Sequence, residues 1–174
     1  MEIDNLIFFL ALSPAKAKCA KTDLILVLDR SGSIRPQDYE LMRNFVVEIG
    51  QKLKIGERDD EGKVIGQGAI VTFSEDGTSR ITLKESQEPG KFVEVAKAMP
   101  GPYPGGRTKT HKALKIANEK LVTEAAGLRV NDPSVLKVFM VITDGKQTIE
   151  SRRRGRKEGF HYCCQKFLLI HLFH

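Results

Sequence analysis

The stretch from Asp23 to Ser33 constrains the fold of this chain more than any other segment. Residues 24–28 are five consecutive aliphatic residues, and an acidic residue, Asp29, follows them. An uninterrupted aliphatic run of this kind is typical of a strand that is buried on both faces of a parallel sheet. Directly after Asp29, Ser31 and Ser33 flank a glycine. The stretch therefore predicts a central parallel strand that ends at a cluster of oxygen-bearing side chains.

Two interpretations of this cluster are open. Carboxylate and hydroxyl oxygens that converge at the end of a strand suit a hard divalent cation. Serine, glycine and aspartate are also common in ordinary turns, where Asp29 would serve only as a cap. Two later segments favour the cation. Residues 105–110, Gly-Gly-Arg-Thr-Lys-Thr, open a helical pattern, and the apolar residues 138–142 precede a second strand-ending acid, Asp144.

Together, these segments resemble the metal-ion-dependent adhesion site of the von Willebrand factor A domain family. The resemblance spans residues 21–148, and all five positions of the motif are filled, by Asp29, Ser31, Ser33, Thr108 and Asp144. It implies that the two serines and Thr108 contact Mg²⁺, or Mn²⁺ or Ca²⁺ in its place, while the two aspartates act mainly through bound waters. Neighbouring residues are then candidates for contacting the ligand, namely Arg30, Gly106, Arg107 and Gly145. Thr110 is left as the expected cap of the following helix.

Strand and helix patterns alternate along the chain, which predicts an α/β fold. We expect a doubly wound, Rossmann-like, mostly parallel sheet with helices on both faces. An Asp-Gly turn at 76–77 joins two strand patterns, so one edge strand is expected to be antiparallel. Compared with the family, the C-terminal strands are missing. The strand at 135–143 would then be an exposed edge, unless the apolar residues 167–173 cover it as a strand or a helix.

Composition divides the chain into three parts. Residues 1–20 hold a short apolar run before Ala15-Lys16-Ala17, which has the form of a signal-peptidase site, although the residues before the run are acidic. The alternative is a docked or disordered segment. Residues 21–150 are the predicted domain, incomplete at its end. Residues 151–174 are a basic and then apolar tail, which suggests a truncated or aberrantly spliced product.

Charge and hydropathy exclude some classes of partner. The tail has six Lys or Arg and one Glu, so it carries +5 of the formal net charge of +6. The nearly neutral body shows no footprint for nucleic acid. The apolar run near the N-terminus is too short for a transmembrane segment.

A phosphate-binding loop is the rival interpretation of residues 101–108. Their glycine spacing comes close to that motif, but Pro102 and Pro104 lack the N–H groups that hold phosphates, and Arg107 replaces the lysine. No histidine neighbours Ser31 in the sequence to activate it as a nucleophile. The chain is therefore interpreted as a binding module and not as an enzyme.

The family resemblance implies a secreted adhesion module that binds an acidic group of a protein ligand through its metal ion. Similar domains occur in integrin α chains, matrilins and type VI collagens, so collagen or another matrix protein is the implied partner. The alternatives are an intracellular scaffold of the same family, a metal-assisted phosphoester hydrolase, and a truncated product without function.

Overall fold

The computed structural model of the protein describes residues 21–102, 107–144 and 165–171, the last of these as backbone only. The predicted signal segment at 1–20 lies outside the described residues. So do Gly106, Gly145 and the basic part of the tail. No helix in the described ranges is long and apolar enough to cross a membrane.

A mixed sheet forms the centre of the fold, with the strand order β3-β2-β1-β4-β5. Its strands are β1 (Lys21–Asp29), β2 (Gly66–Phe73), β3 (Gly77–Ile81), β4 (Val135–Thr143) and β5 (Gln165–His171). All neighbours pair in parallel except β2 and β3, which are antiparallel across the predicted Asp-Gly turn. The prediction of a mostly parallel, doubly wound sheet with one antiparallel edge is confirmed.

The aliphatic run of β1 explains its central position, because residues 24–28 are all buried. Alternate side chains of a strand face opposite sides of the sheet. Leu24, Leu26 and Leu28 therefore pack with helix α1 (Pro36–Lys52) and helix α2 (Lys91–Lys97) on one face. Ile25 and Val27 pack against helix α3 (Thr110–Lys120) on the other. Helices cover both faces, as predicted, and a short 3₁₀ helix spans Glu85–Gln87.

The start of α1 agrees with the sequence prediction, whereas the start of α3 does not. Pro36 lies at the first turn of α1, where its missing N–H leaves no bond unmade. The expectation that Thr110 caps α3 is wrong, because Thr110 is already the first helical residue and Lys109 holds the cap position. The Thr110 hydroxyl is buried and has no hydrogen-bond partner among the described residues.

The tail contributes the fifth strand. β5 pairs with β4 in parallel over seven residue pairs, from Lys137 with Gln165 to Thr143 with His171. Of the alternatives that the sequence left open, the structure therefore shows β4 covered by a strand from the tail and not exposed as an edge. Residues 165–171 supply the backbone partner that β4 needs. The sequence alone did not decide whether the apolar end of the tail forms a strand or a helix.

An ion pair fixes the opposite end of β1. Asp23 is fully buried, and its carboxylate accepts hydrogen bonds from the Nε, Nη2 and main-chain N–H of Arg129, at 2.9, 2.7 and 3.0 Å. The same guanidinium donates to the carbonyls of Thr22 and Val64, at 2.9 and 2.7 Å. Arg129 thus ties the loop before β4 to the amino end of β1.

Candidate metal site

The carboxyl end of β1 brings three of the predicted site residues together. The Asp29 carboxylate accepts one hydrogen bond from the main-chain N–H of Ser31, at 2.8 Å, and another from the hydroxyl of Thr143, at 2.7 Å. The Ser31 and Ser33 hydroxyl oxygens are 3.0 Å apart. Asp29 and Ser31 are both fully buried. The loop after β1 is therefore folded around the Asp29 side chain.

The electrostatics of Asp29 are unfavourable for a buried carboxylate. Burial raises its pKa most, the hydrogen bonds from Thr143 and Ser31 lower it, and the nearby charge of Asp144 raises it again. Asp29 forms no ion pair with any described residue. The two acidic groups thus lie close together, and no described cationic side chain is paired with Asp29. A bound cation would stabilise this arrangement.

Hydrogen bonds join the segment that carries Thr108 to the end of β2. The Lys109 N–H donates to the Ser74 carbonyl, at 3.0 Å, and the Ser74 hydroxyl donates to the Arg107 carbonyl, at 3.3 Å. On the other side, the Arg30 N–H donates to the Phe73 carbonyl, at 2.8 Å. Adjacent residues at the end of β2 therefore anchor the loop that carries Ser31 and the segment that carries the buried Thr108.

The donor set fits a hard cation. The described residues contain no group of three or more His, Cys, Asp or Glu side chains that could hold a metal ion. A cation at the end of β1 would therefore depend on the hydroxyls of Ser31, Ser33 and Thr108 as well as on the two aspartates. Such an all-oxygen set with neutral members suits Mg²⁺ or Ca²⁺.

The structure describes two of the four predicted ligand-contacting residues, Arg30 and Arg107. The Arg30 guanidinium donates to the Gly101 carbonyl through Nε and Nη2, at 3.1 and 2.8 Å, so it bridges the loop after β1 and the segment that leads to Thr108. Arg107 is exposed. Gly106 and Gly145 lie outside the described residues.

Sequence reasoning missed two features of this region. Thr143 was treated only as part of a strand, yet its hydroxyl holds Asp29; the signal was a polar residue at the end of an apolar run beside β1. Arg80 was treated as a polar position on an edge strand. Its Nε donates to the Thr72 hydroxyl, at 2.8 Å, near the carboxyl end of β2.

Fold and site together define an α/β domain with an oxygen-rich candidate cation site at the carboxyl edge of its sheet. The sequence profile of the von Willebrand factor type A domain matches residues 23–157. The chain therefore belongs to the von Willebrand factor type A domain family, and the predicted resemblance is confirmed.

Curated relatives match most of this chain but only part of their own. Matrilin-4 of Mus musculus is 34% identical over 141 residues, which are 79% of this chain and 21% of the relative. Collagen alpha-6(VI) chain of Mus musculus is 32% identical over 125 residues, which are 71% of this chain and 5% of the relative. Matrilin-1 of Gallus gallus is 27% identical over 76% of this chain and 26% of its own. The chain thus spans about a quarter or less of these relatives.

A solved structure shares the fold. Proximal thread matrix protein 1 from the mussel byssus, in a structure whose metal-ion-dependent adhesion site motif is occupied by zinc, aligns with a TM-score of 0.63. It is 25% identical to this chain, and the alignment covers 77% of this chain and 33% of the byssus protein. The similarity supports divalent-metal binding as a property of the family motif.

Proposed function

We propose that this protein is a metal-dependent protein-binding module that recognises an acidic group on an extracellular matrix or cell-surface ligand. The observation that carries the proposal is the environment of Asp29. Its carboxylate is buried, is oriented by Ser31 and Thr143, and lies near Asp144 without an ion pair to any described residue. A divalent cation would offset this concentration of negative charge.

The proposed ligands of the ion are the hydroxyls of Ser31, Ser33 and Thr108, with Asp29 and Asp144 acting mainly through bound waters. Both Asp29 oxygens already accept hydrogen bonds from protein groups, which favours an indirect role for this residue. When bound, Mg²⁺ supplies an exchangeable coordination position that attracts a carboxylate. The neutral hydroxyls suit this purpose because they leave much of the charge of the ion uncompensated.

Matrix proteins are the proposed partners, and secretion is the proposed fate of the chain. Support comes from the names of the relatives, which are matrilins and collagens, and from the byssus matrix protein that shares the fold. N-terminal sequencing of protein from expressing cells tests the location. A mature start near Lys18 is expected in the medium, whereas a chain that retains Met1 inside the cell contradicts secretion.

A binding role is favoured over catalysis. A metal-assisted hydrolase needs a general base placed for a bound water. We assign Asp29 to the outer shell of the ion, where the Ser31 N–H and the Thr143 hydroxyl orient its carboxylate toward bound waters, and not to the role of a base. We expect no Mg²⁺-dependent hydrolysis of p-nitrophenyl phosphate above the rate of an Asp29→Ala variant. Faster hydrolysis by the wild type would support the enzyme alternative.

Isothermal titration calorimetry with Mg²⁺ and Mn²⁺ tests the metal site. The wild type is expected to bind both ions, and Asp29→Ala and Thr108→Ala are expected to lose most of the heat. Thr110→Ala is the matched control, because it removes a second buried hydroxyl two residues away that has no proposed role in binding. Equal heats from the wild type and Asp29→Ala would remove the metal site from consideration.

A further inference from the structure

A cleft of about 260 Å³ adjoins the candidate metal site. It is lined by residues of the loop after β1 and of the β2–β3 hairpin, namely Arg30, Thr72, Ser74, Glu75, Asp76 and Thr78. We call it the arginine cleft. Arg30 directly follows Asp29, and Ser74 contacts the segment that carries Thr108. The arginine cleft and the proposed ion are therefore bordered by the same loops.

Two guanidinium groups, those of Arg30 and Arg80, place positive charge at the arginine cleft. Arg30 lines it and is held by the Gly101 carbonyl. Arg80 is half-buried and is connected to the cleft through Thr72, because its Nε donates to the hydroxyl of this lining residue, at 2.8 Å. Arg80 forms no ion pair with the described residues. Its pKa is lowered by burial and by the nearby charge of Arg30, so two positive charges are held close together.

A buried hydroxyl near the same charges lacks a partner. Tyr39 is fully buried, and its hydroxyl has no hydrogen-bond partner among the described residues. Burial raises its pKa, while the nearby charges of Arg30, Arg80 and Arg43 lower it. An ordered water could complete the bonding of this hydroxyl, and such a water would lie near the positive charges of Arg30 and Arg80.

We propose that the arginine cleft binds a second acidic side chain of the same protein ligand whose first acidic group reaches the metal ion. This inference rests on the function proposed above. Arginine suits the role because its planar donors match a carboxylate. A dense polyanion fits less well, because Glu75 and Asp76 also line the cleft, although Asp76 is paired with Lys112.

Two blocked peptides serve as probes in the presence of Mg²⁺. One contains a single glutamate between glycines, and the other contains a second glutamate after a spacer of one to three glycines. Titrations of the full chain are followed by NMR, which measures weak binding. We expect the better diacidic peptide to bind about three- to tenfold more tightly than the monoacidic one. Arg80→Gln is expected to remove that advantage, and Arg80→Lys to restore part of it.

Two controls separate this inference from the proposed function. Arg58→Gln makes the same change of charge in an exposed loop, where Arg58 bonds the Gly62 carbonyl, and should keep the advantage. Mg²⁺ affinity should be unchanged in Arg80→Gln, which also reports that the variant is folded. Metal-dependent binding of both peptides with equal affinity would overturn the second acidic subsite alone. Absence of any Mg²⁺-dependent binding would overturn the proposed function as well.

A sulfated disaccharide provides the last arm of the test. Its binding is expected to be weaker than that of the diacidic peptide and insensitive to Arg80→Gln. Tighter binding that is lost in Arg80→Gln would assign the arginine cleft to a polysaccharide and overturn its assignment to a protein ligand.

Discussion

Replacement of Arg129 by methionine should destabilise the fold strongly. Asp23 is fully buried and accepts both of its side-chain hydrogen bonds on Oδ1 from this guanidinium. After the substitution, the main-chain N–H of residue 129, at 3.0 Å from Oδ2, is the one donor that remains among the described residues. Breaking a buried pair by removing one partner costs about 3–5 kcal/mol, because it leaves an uncompensated charge.

The magnitude can be narrowed from the structure. The Arg129 side chain is 19% exposed, so water can enter when it is truncated, which favours the lower part of that range. The carbonyls of Thr22 and Val64 lose a charged donor as well, which adds on the order of 1 kcal/mol. We therefore expect a loss of about 4 kcal/mol, out of a typical total of about 5–15 kcal/mol.

Urea denaturation followed by circular dichroism measures this loss. The matched control is Arg58→Met, which removes an exposed arginine that donates to the Gly62 carbonyl, and it should change stability by less than about 0.5 kcal/mol. The double variant Asp23→Leu/Arg129→Met leaves no unpaired buried charge at this site, so it should be more stable than the sum of its single changes predicts, by about 2 kcal/mol or more. A loss below about 1 kcal/mol for Arg129→Met, or additive single changes, would refute the reasoning.

Three further changes test other parts of the structure. In metal-free buffer, Asp29→Asn should be at least as stable as the wild type at neutral pH, because the raised pKa of Asp29 means that its ionised form disfavours folding. Added Mg²⁺ should raise the urea midpoint of the wild type only. Gly66→Ala should cost about 1–3 kcal/mol of unfolding free energy, since the added Cβ would meet the Leu53 carbonyl oxygen, whereas Gly101→Ala meets nothing within 4 Å. The Glu85 pKa is lowered below 4.5, chiefly by hydrogen bonds from Thr82. Ionised Glu85 therefore contributes its full stabilisation well above pH 4.5, and this stabilisation disappears as the pH falls through the lowered pKa. A Glu85→Gln variant should lack this component of the acid denaturation curve.

The central strands could be predicted because their signal is local. The aliphatic run before Asp29 and the apolar run before Asp144 each identify a strand buried on both faces, and the structure places β1 and β4 side by side. The antiparallel edge was equally local, since it followed from one short turn. Family membership added the order of the site residues, which no periodicity contains.

The features that sequence reasoning missed depend on distant partners. The apolar residues 167–173 are compatible with a strand or a helix, and only the backbone of β4, more than twenty residues earlier, selects the strand. Tyr39 belongs to the buried stripe of α1 and Arg80 lies on an edge strand, so each has an ordinary local explanation. Their common location beside Arg30 exists only in the folded chain. The role of Thr143 depends on Asp29 in the same way.

The acidic residues at the two ends of β1 have opposite effects on stability, so the fold and the proposed function can be tested separately. Asp23 at one end is fully paired, whereas Asp29 at the other is a buried acid near a second acid. Six residues of strand place them about 20 Å apart, and substitutions at that distance usually add. A folded Arg129→Met variant should therefore keep the Mg²⁺ affinity of the wild type in calorimetry despite its lower urea midpoint. A large loss of affinity in that variant, measured where it is fully folded, would mean that the ion pair also positions the loop around Asp29.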